Sequence, residues 1–213
     1  MKLSRWLFRL LYNQLAWTYD WVSWVVSLGK WRHWQWAAIS RLTGKRVLEI
    51  AFGTGNLLID LAQAGYCPYG LELSPYMVRI ASRKLQRRGL AVPLCRGRVQ
   101  MLPFAHQTFD TIVATFPTEF IYDPASLGEM DRVLRPSGKL VIIPGAYFHN
   151  PLARFFIEWL YLITGQRASQ PAWDGLLAGT GMSVKYEEDR DRISAVQVIV
   201  VTKKSREEAQ CES

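Results

Sequence analysis

The residues best suited to chemistry lie in one short stretch, Glu49-Ile50-Ala51-Phe52-Gly53-Thr54-Gly55, followed by Glu72, 17 residues past Gly55. Gly53 and Gly55 admit backbone angles closed to other residues and let the main chain approach a ligand closely. Where such a loop opens a helix, unpaired amides face the ligand and favour nucleotide-like groups. A carboxylate about 20 residues further on is placed to accept hydrogen bonds from both hydroxyls of a ribose. The spacing excludes a dinucleotide. Counted from Gly53, the pyrophosphate fingerprint needs a small residue at Leu58, and counted from Ala51 it needs one at Asn56.

These residues need a buried strand before the loop and a second strand beneath Glu72. Short apolar runs, of the kind a parallel sheet buries on both faces, give strands over Arg46 to Ala51, Pro68 to Leu73, Val92 to Val99, Thr111 to Thr115 and Leu140 to Pro144. Helical spacing of Leu57, Leu58, Leu61 and Ala62 gives a helix over Asn56 to Ala64. Ser74-Pro75 reads as the cap and first turn of a helix to about Arg88. Asp123-Pro124 opens another, which Arg135-Pro136-Ser137-Gly138 is expected to end. Beyond helical material from Pro151 to Gly179, runs over Ser183 to Asp189 and Ala195 to Thr202 are joined so briefly that they must be antiparallel.

Glu49, Gly53 and Gly55, with Ala51 in the place of a first glycine, resemble motif I of the class I S-adenosylmethionine methyltransferases. The resemblance continues through Gly70-Leu71-Glu72-Leu73-Ser74-Pro75-Tyr76-Met77, Leu102-Pro103-Phe104, Phe109-Asp110 and the run from Glu129 to Leu140, covering about residues 45 to 145. It implies an α/β fold: a Rossmann-like seven-stranded sheet, mostly parallel, with an antiparallel C-terminal hairpin. It also implies S-adenosylmethionine as cofactor. Glu49 and the loop Ala51, Phe52, Gly53, Thr54, Gly55 would hold its methionine part, Glu72 its ribose, and Leu73 with Arg98, Val99, Gln100 and Met101 its adenine. Thr115 ends the fourth strand beside them, and Tyr19 of a Tyr19-Asp20 pair would help to close over the cofactor.

Two positions depart from the family pattern. Ala51 is expected to be tolerated there only at negative φ. Arg98 stands where an acidic residue commonly accepts the adenine amino group, and a guanidinium cannot accept. Adenine is then held by backbone and apolar contacts near Val99, or Arg98 stacks on a ring or turns outward to an anionic headgroup, or affinity for the cofactor has been lost.

The 213-residue chain carries a net charge of +8, and seven of its nine tryptophans fall within residues 1–36. Leu3, Trp6, Leu7, Leu10 and Leu11 recur at helical spacing with Lys2, Arg5 and Arg9 between them, as in a basic helix lying in a membrane interface. An aromatic lid packed on the core is the competing reading. Peripheral contact with an anionic membrane surface, from a cytoplasmic location, is therefore expected. Three scattered cysteines and three scattered histidines give neither a disulfide framework nor a metal site. Arg79, Arg83, Lys84, Arg87 and Arg88 crowd one helix, but no nucleic-acid module accompanies them.

Three segments are expected: aromatic lid or interface helices over 1–40, a methyltransferase domain over 41–205 with a helical insertion at about 148–180, and a polar tail over 206–213. The apolar N-terminus and the insertion containing Phe155, Phe156, Trp159, Leu160, Tyr161 and Leu162 suggest a hydrophobic acceptor. The overall pattern resembles the ubiquinone/menaquinone-biosynthesis methyltransferases and the bacterial phospholipid N-methyltransferases. Glu119, His149 and Asp20 are the candidate bases for taking a proton from such an acceptor. A non-catalytic membrane-peripheral module and a methyltransferase for a soluble small molecule are the alternatives.

Overall fold

A computed structural model describes residues 19–155, 173–177 and 180–205. The expected basic helix at the extreme N-terminus, the insertion residues from Phe156 to Leu162 and the polar tail lie outside the described residues. Two helices come first, α1 (Tyr19–Val26) and α2 (Trp31–Trp36), then a 3-10 turn over Ile39–Arg41. The core follows as β1 (Arg46–Ile50), α3 (Asn56–Gln63), β2 (Cys67–Glu72), α4 (Pro75–Gln86), β3 (Leu94–Arg96) and β4 (Phe109–Thr115). A 3-10 turn over Glu119–Tyr122 then leads to α5 (Pro124–Val133), β5 (Leu134–Phe148), α6 (Trp173–Leu176), β6 (Met182–Arg190) and β7 (Ser194–Lys203).

The seven strands form one sheet in the order β3-β2-β1-β4-β5-β7-β6. Pairs from β3 through β5 are parallel, and β7 pairs antiparallel with both β5 and β6, as the short connection requires. The strand order reverses between β1 and β4. In open α/β sheets that point leaves a crevice at the carboxyl ends of the strands.

Local signals behave as expected at two helix starts. The Ser74 hydroxyl accepts from the Met77 N–H at 3.4 Å with Pro75 in the first turn, and the Asp123 carboxylate caps α5 by accepting from the Ala125 N–H at 2.9 Å. Two expected boundaries are corrected. The third strand is only Leu94–Arg96, because Pro93 has no N–H to donate and Gly97 onward turns into the crevice wall. Residues 135–138 do not separate α5 from the next strand. They bulge within β5, which pairs at Phe109↔Leu134 and resumes at Thr111↔Lys139. Gly138 is required there, since a Cβ would lie 2.7 Å from the Arg135 carbonyl oxygen.

Apolar side chains fill both faces of the sheet. Ile121, Met130, Val133 and Trp173 cover one face, and Trp34, Ala37, Leu57 and Leu61 cover the other. The tryptophan cluster is thus divided by packing. Trp34 is fully buried, and its indole N–H donates to the Ser194 hydroxyl at 3.0 Å. Truncating a side chain so placed costs about 3–5 kcal/mol. Trp36 donates to Asp60 at 2.6 Å, whereas Trp21 and Trp24 are 70% and 59% exposed.

Candidate functional site

The loop after β1 takes three left-handed positions in five residues: Ala51 at φ +54°, Gly53 at +56° and Gly55 at +77°. The expectation of a negative φ at Ala51 is therefore wrong. Alanine bears a left-handed conformation that ordinarily costs about 1–2 kcal/mol. Its N–H donates to the Leu71 carbonyl at 2.7 Å, which ties the loop to β2 and holds the conformation. At Gly55 a Cβ would lie 2.7 Å from the Cβ of Ala81, so α3 and α4 could not approach as they do. A Cβ at Gly53 would meet nothing within 4 Å.

Glu72, at the end of β2, is only 4% exposed. One carboxylate oxygen accepts the Gly53 N–H at 3.1 Å and the other the Ser74 N–H at 2.8 Å. The side chain thereby fixes the glycine loop against the start of α4, and it lines the crevice with acceptor capacity to spare. Burial raises its pKa, against the lowering effect of these backbone donors. Glu49 is completely buried and does not line the crevice; its oxygens make no hydrogen bond of good geometry among the described residues, although the Leu58 backbone N–H lies close enough to act on the carboxyl group. Burial, with Glu72 and Asp60 nearby, pushes its pKa well above the ordinary carboxylate range. A carboxyl group so placed favours its neutral form when alone and would ionise beside a cationic group.

The crevice has a volume of about 700 Å³. Ala51, Glu72, Leu73, Arg98, Val99 and Gln100 line it, as the sequence suggested. The other expected cofactor residues lie around it. Phe52 packs beneath the loop against Leu58 and the α-carbon of Gly70, and Met101 is 79% exposed. Thr54 donates to Asp20, Thr115 accepts from Gln35 at 3.1 Å, and Tyr19 meets Trp31 edge-on at 6.4 Å. Sequence reasoning missed the opposite wall, Phe116, Pro117, Thr118 and Phe120. Phe116 takes φ +51° and stacks on Trp31 of the lid with ring centroids 4.2 Å apart. Its only sequence signal was an aromatic residue just after the fourth strand.

The three candidate bases are not brought together. The Asp20 carboxylate accepts from Lys84 of α4 at 2.5 Å, Thr54 at 2.6 Å and Asn56 at 3.1 Å. Burial alone would raise its pKa, but these partners outweigh that and lower it, and they tie α1 to the glycine loop and to α4. His149 sits at the far end of β5, its ring against the Asp191 carbonyl at 3.1 Å, and does not line the crevice. Glu119 is exposed and directly follows Thr118 of the crevice wall.

Residues 48–142 match the family described as a methyltransferase domain. A demethylmenaquinone methyltransferase of Lactiplantibacillus plantarum is 32% identical over 160 residues, spanning 71% of this chain and 68% of the relative. The chain belongs to the S-adenosylmethionine-dependent methyltransferases. A ubiquinone/menaquinone biosynthesis C-methyltransferase of Cupriavidus necator is 27% identical over 201 residues, covering 90% of this chain and 79% of that one. The crystal structure of an S-adenosyl-L-methionine-dependent methyltransferase from Methanococcus maripaludis shares the fold, with a TM-score of 0.67, 20% identity, and 92% and 95% of the two chains covered.

The methyltransferase site fits the cofactor of this family on its own geometry. It has open space beside Gly53 and, at the end of β2, the buried Glu72 carboxylate lining the crevice. Among the described residues no group of three or more His, Cys, Asp or Glu could hold a metal ion. No helix among them is long and apolar enough to cross a membrane.

Proposed function

We propose that the protein transfers a methyl group from S-adenosylmethionine to a lipid-soluble, quinol-type acceptor. The observation that carries this reading is the wall of the crevice opposite Glu72. There Phe116, its ring stacked on Trp31, lines the crevice with Pro117 and Phe120 just beyond the end of β4, a largely apolar and aromatic stretch of wall. Such a surface favours an aromatic ring held by offset stacking. The names of the relatives support the same class of acceptor.

When bound, S-adenosylmethionine supplies an electrophilic methyl carbon on a sulfonium sulfur. The residues of this chain would bind and orient. Glu49 would face the amino-acid end, Glu72 the ribose hydroxyls, and Leu73, Val99 and Gln100 the adenine, with Arg98 at the rim. Holding two reactants in line can supply about 7–11 kcal/mol, so pocket shape is the main catalytic device. Glu119, next to the aromatic wall, is the residue best placed to take the phenolic proton of the acceptor. The first residues of the chain would add peripheral contact with an anionic membrane surface.

The test is incubation with methyl-labelled S-adenosylmethionine and a total lipid extract, followed by separation of the products. Label in a quinone fraction is the expected result. Label confined to aminophospholipids would overturn the acceptor, and cofactor binding without any labelled lipid would overturn lipid methylation altogether.

A further inference from the structure

Exposed large apolar side chains are not spread evenly over the fold. Leu73 and Tyr76 follow the carboxyl end of β2, Met101 follows β3, Leu152 follows β5, and Ile193 lies in the turn that faces His149 across the end of β5. Trp21, Trp24 and Leu28 belong to α1 and its exit turn. That helix is held to the same edge at both ends, by Asp20 on Thr54 and Asn56 and, through the following turn, by Lys30 on Asp191. Nearly all of this exposed apolar surface therefore surrounds the edge at which the crevice opens. Among the described residues, Trp36 and Tyr186 are the large aromatics exposed elsewhere.

Charge on the same edge is arranged around the apolar groups. Arg98 lines the crevice, Arg96 ends β3, and Arg79 lies over the Tyr76 ring at 5.8 Å in the first turns of α4. All three are exposed, and none forms an ion pair among the described residues. The carboxylates nearby are mostly occupied. Asp20 is paired with Lys84, Asp191 with Lys30, and Asp123 accepts from Gln100 and from its own helix, while Glu119 is left exposed. Indole and phenol rings interleaved with guanidinium groups match the headgroup layer of a bilayer, where the ring ends are part apolar and part wet and the lipid charge is negative.

We propose that the protein docks on an anionic phospholipid bilayer by this edge, with Trp21, Trp24 and Tyr76 seated at headgroup level and Arg79 and Arg96 over the phosphates. The crevice then opens onto the lipid, and a hydrophobic acceptor reaches the Phe116 wall without crossing bulk water. This inference rests on the reading of a lipid-soluble acceptor, and it assigns a contact to the folded edge in addition to any made by the first residues of the chain. The net charge of +8 adds a long-range attraction to the same surface.

The experiment uses the full chain in flotation with vesicles of phosphatidylcholine mixed with phosphatidylglycerol, and with vesicles of phosphatidylcholine alone. Two double variants are compared with the wild type: Trp21→Ser with Trp24→Ser, and Tyr76→Ser with Arg79→Glu. The wild type is expected to float with the anionic vesicles, and each variant to bind them more weakly by roughly tenfold. Turnover of a short-chain, water-soluble quinol should stay within twofold of wild type, by the same order-of-magnitude reasoning about residues outside the crevice.

Flotation unchanged in both variants would overturn docking by this edge. So would a wild-type chain that binds nucleic acid or forms a dimer through these residues and fails to float. Loss of turnover on the soluble quinol in step with loss of flotation would also overturn it, by marking these residues as part of the site. Failure of the acceptor reading is distinguishable: a chain that floats but labels no quinone keeps the docking and loses the substrate.

Discussion

Lys84 of α4 donates to Asp20 of α1 at 2.5 Å, and this single pair joins the lid to the helix that closes the cofactor crevice. Thr54 and Asn56 complete the junction by donating to the other oxygen of the same carboxylate. The lid, the glycine loop and α4 are thus tied at one point. Replacing Asp20 by Asn removes the charge and leaves a similar shape. The expected outcome is a several-fold weaker affinity for S-adenosylmethionine by calorimetry and faster hydrogen exchange in α1. Lys84→Gln should give the same pair of effects, whereas a lid without influence on the loop would leave calorimetry unchanged.

Ala51 and the two glycines of the loop should respond in opposite directions. Ala51→Gly relieves a left-handed penalty of about 1–2 kcal/mol and adds unfolded-chain entropy of about 0.5–1 kcal/mol, so a net gain of about 0.5–1 kcal/mol is expected in urea unfolding. Gly55→Ala drives a methyl into Ala81 at a left-handed position and should cost at least about 2 kcal/mol. Gly53→Ala has room for its methyl, so its loss of stability should be about 1–2 kcal/mol while its loss of cofactor affinity is the larger effect.

Glu49 gives a pH dependence with a definite sign. Its folded pKa is raised by burial, so folding disfavours the charged form. That cost is absent below the unfolded carboxylate value, grows as pH rises above it and is complete once pH passes the folded value. Glu49→Gln should therefore be more stable than the wild type at neutral pH, by about 1 kcal/mol, with the difference vanishing in acid. The same variant should bind S-adenosylmethionine more weakly. A variant that is both less stable at neutral pH and equal in affinity would remove Glu49 from the site.

Arg98 is exposed at the crevice rim, with Val99 buried beside it. If adenine is held by backbone and apolar contacts, Arg98→Asp changes the cofactor dissociation constant by less than about tenfold, which corresponds to about 1.4 kcal/mol. A much larger gain in affinity on titration would mean that the wild-type site has decayed.

Trp31 of α2 and Phe116 of the crevice wall form one stack, 4.2 Å between ring centroids. Trp31→Ala should raise the KM for a quinol acceptor while changing the cofactor dissociation constant little. About 0.5–1.5 kcal/mol of the effect comes from the ring pair itself, beyond lost burial. Equal damage to both ligands would instead indicate general loosening of the lid.

Several of these relationships are legible in the amino-acid sequence. The strand before Ala51, the left-handed needs of Gly53 and Gly55, the caps at Ser74 and Asp123, and the antiparallel final pair all follow from residues within a few positions of one another. Local sterics and hydrogen bonding decide such features, so the glycine loop, the place of Glu72 at a strand end and the antiparallel final pair were readable in the chain, while the seven-stranded sheet was read from the family resemblance. Which of the described tryptophans are buried depends on the folded chain, since Trp34 finds Ser194 160 positions away and Trp21 finds no core. Folding also brought Lys84 to Asp20 to join α1 to α4, and held Ala51 left-handed through Leu71. Those outcomes depend on contacts between distant segments, whose energies exceed the local preferences that a sequence displays.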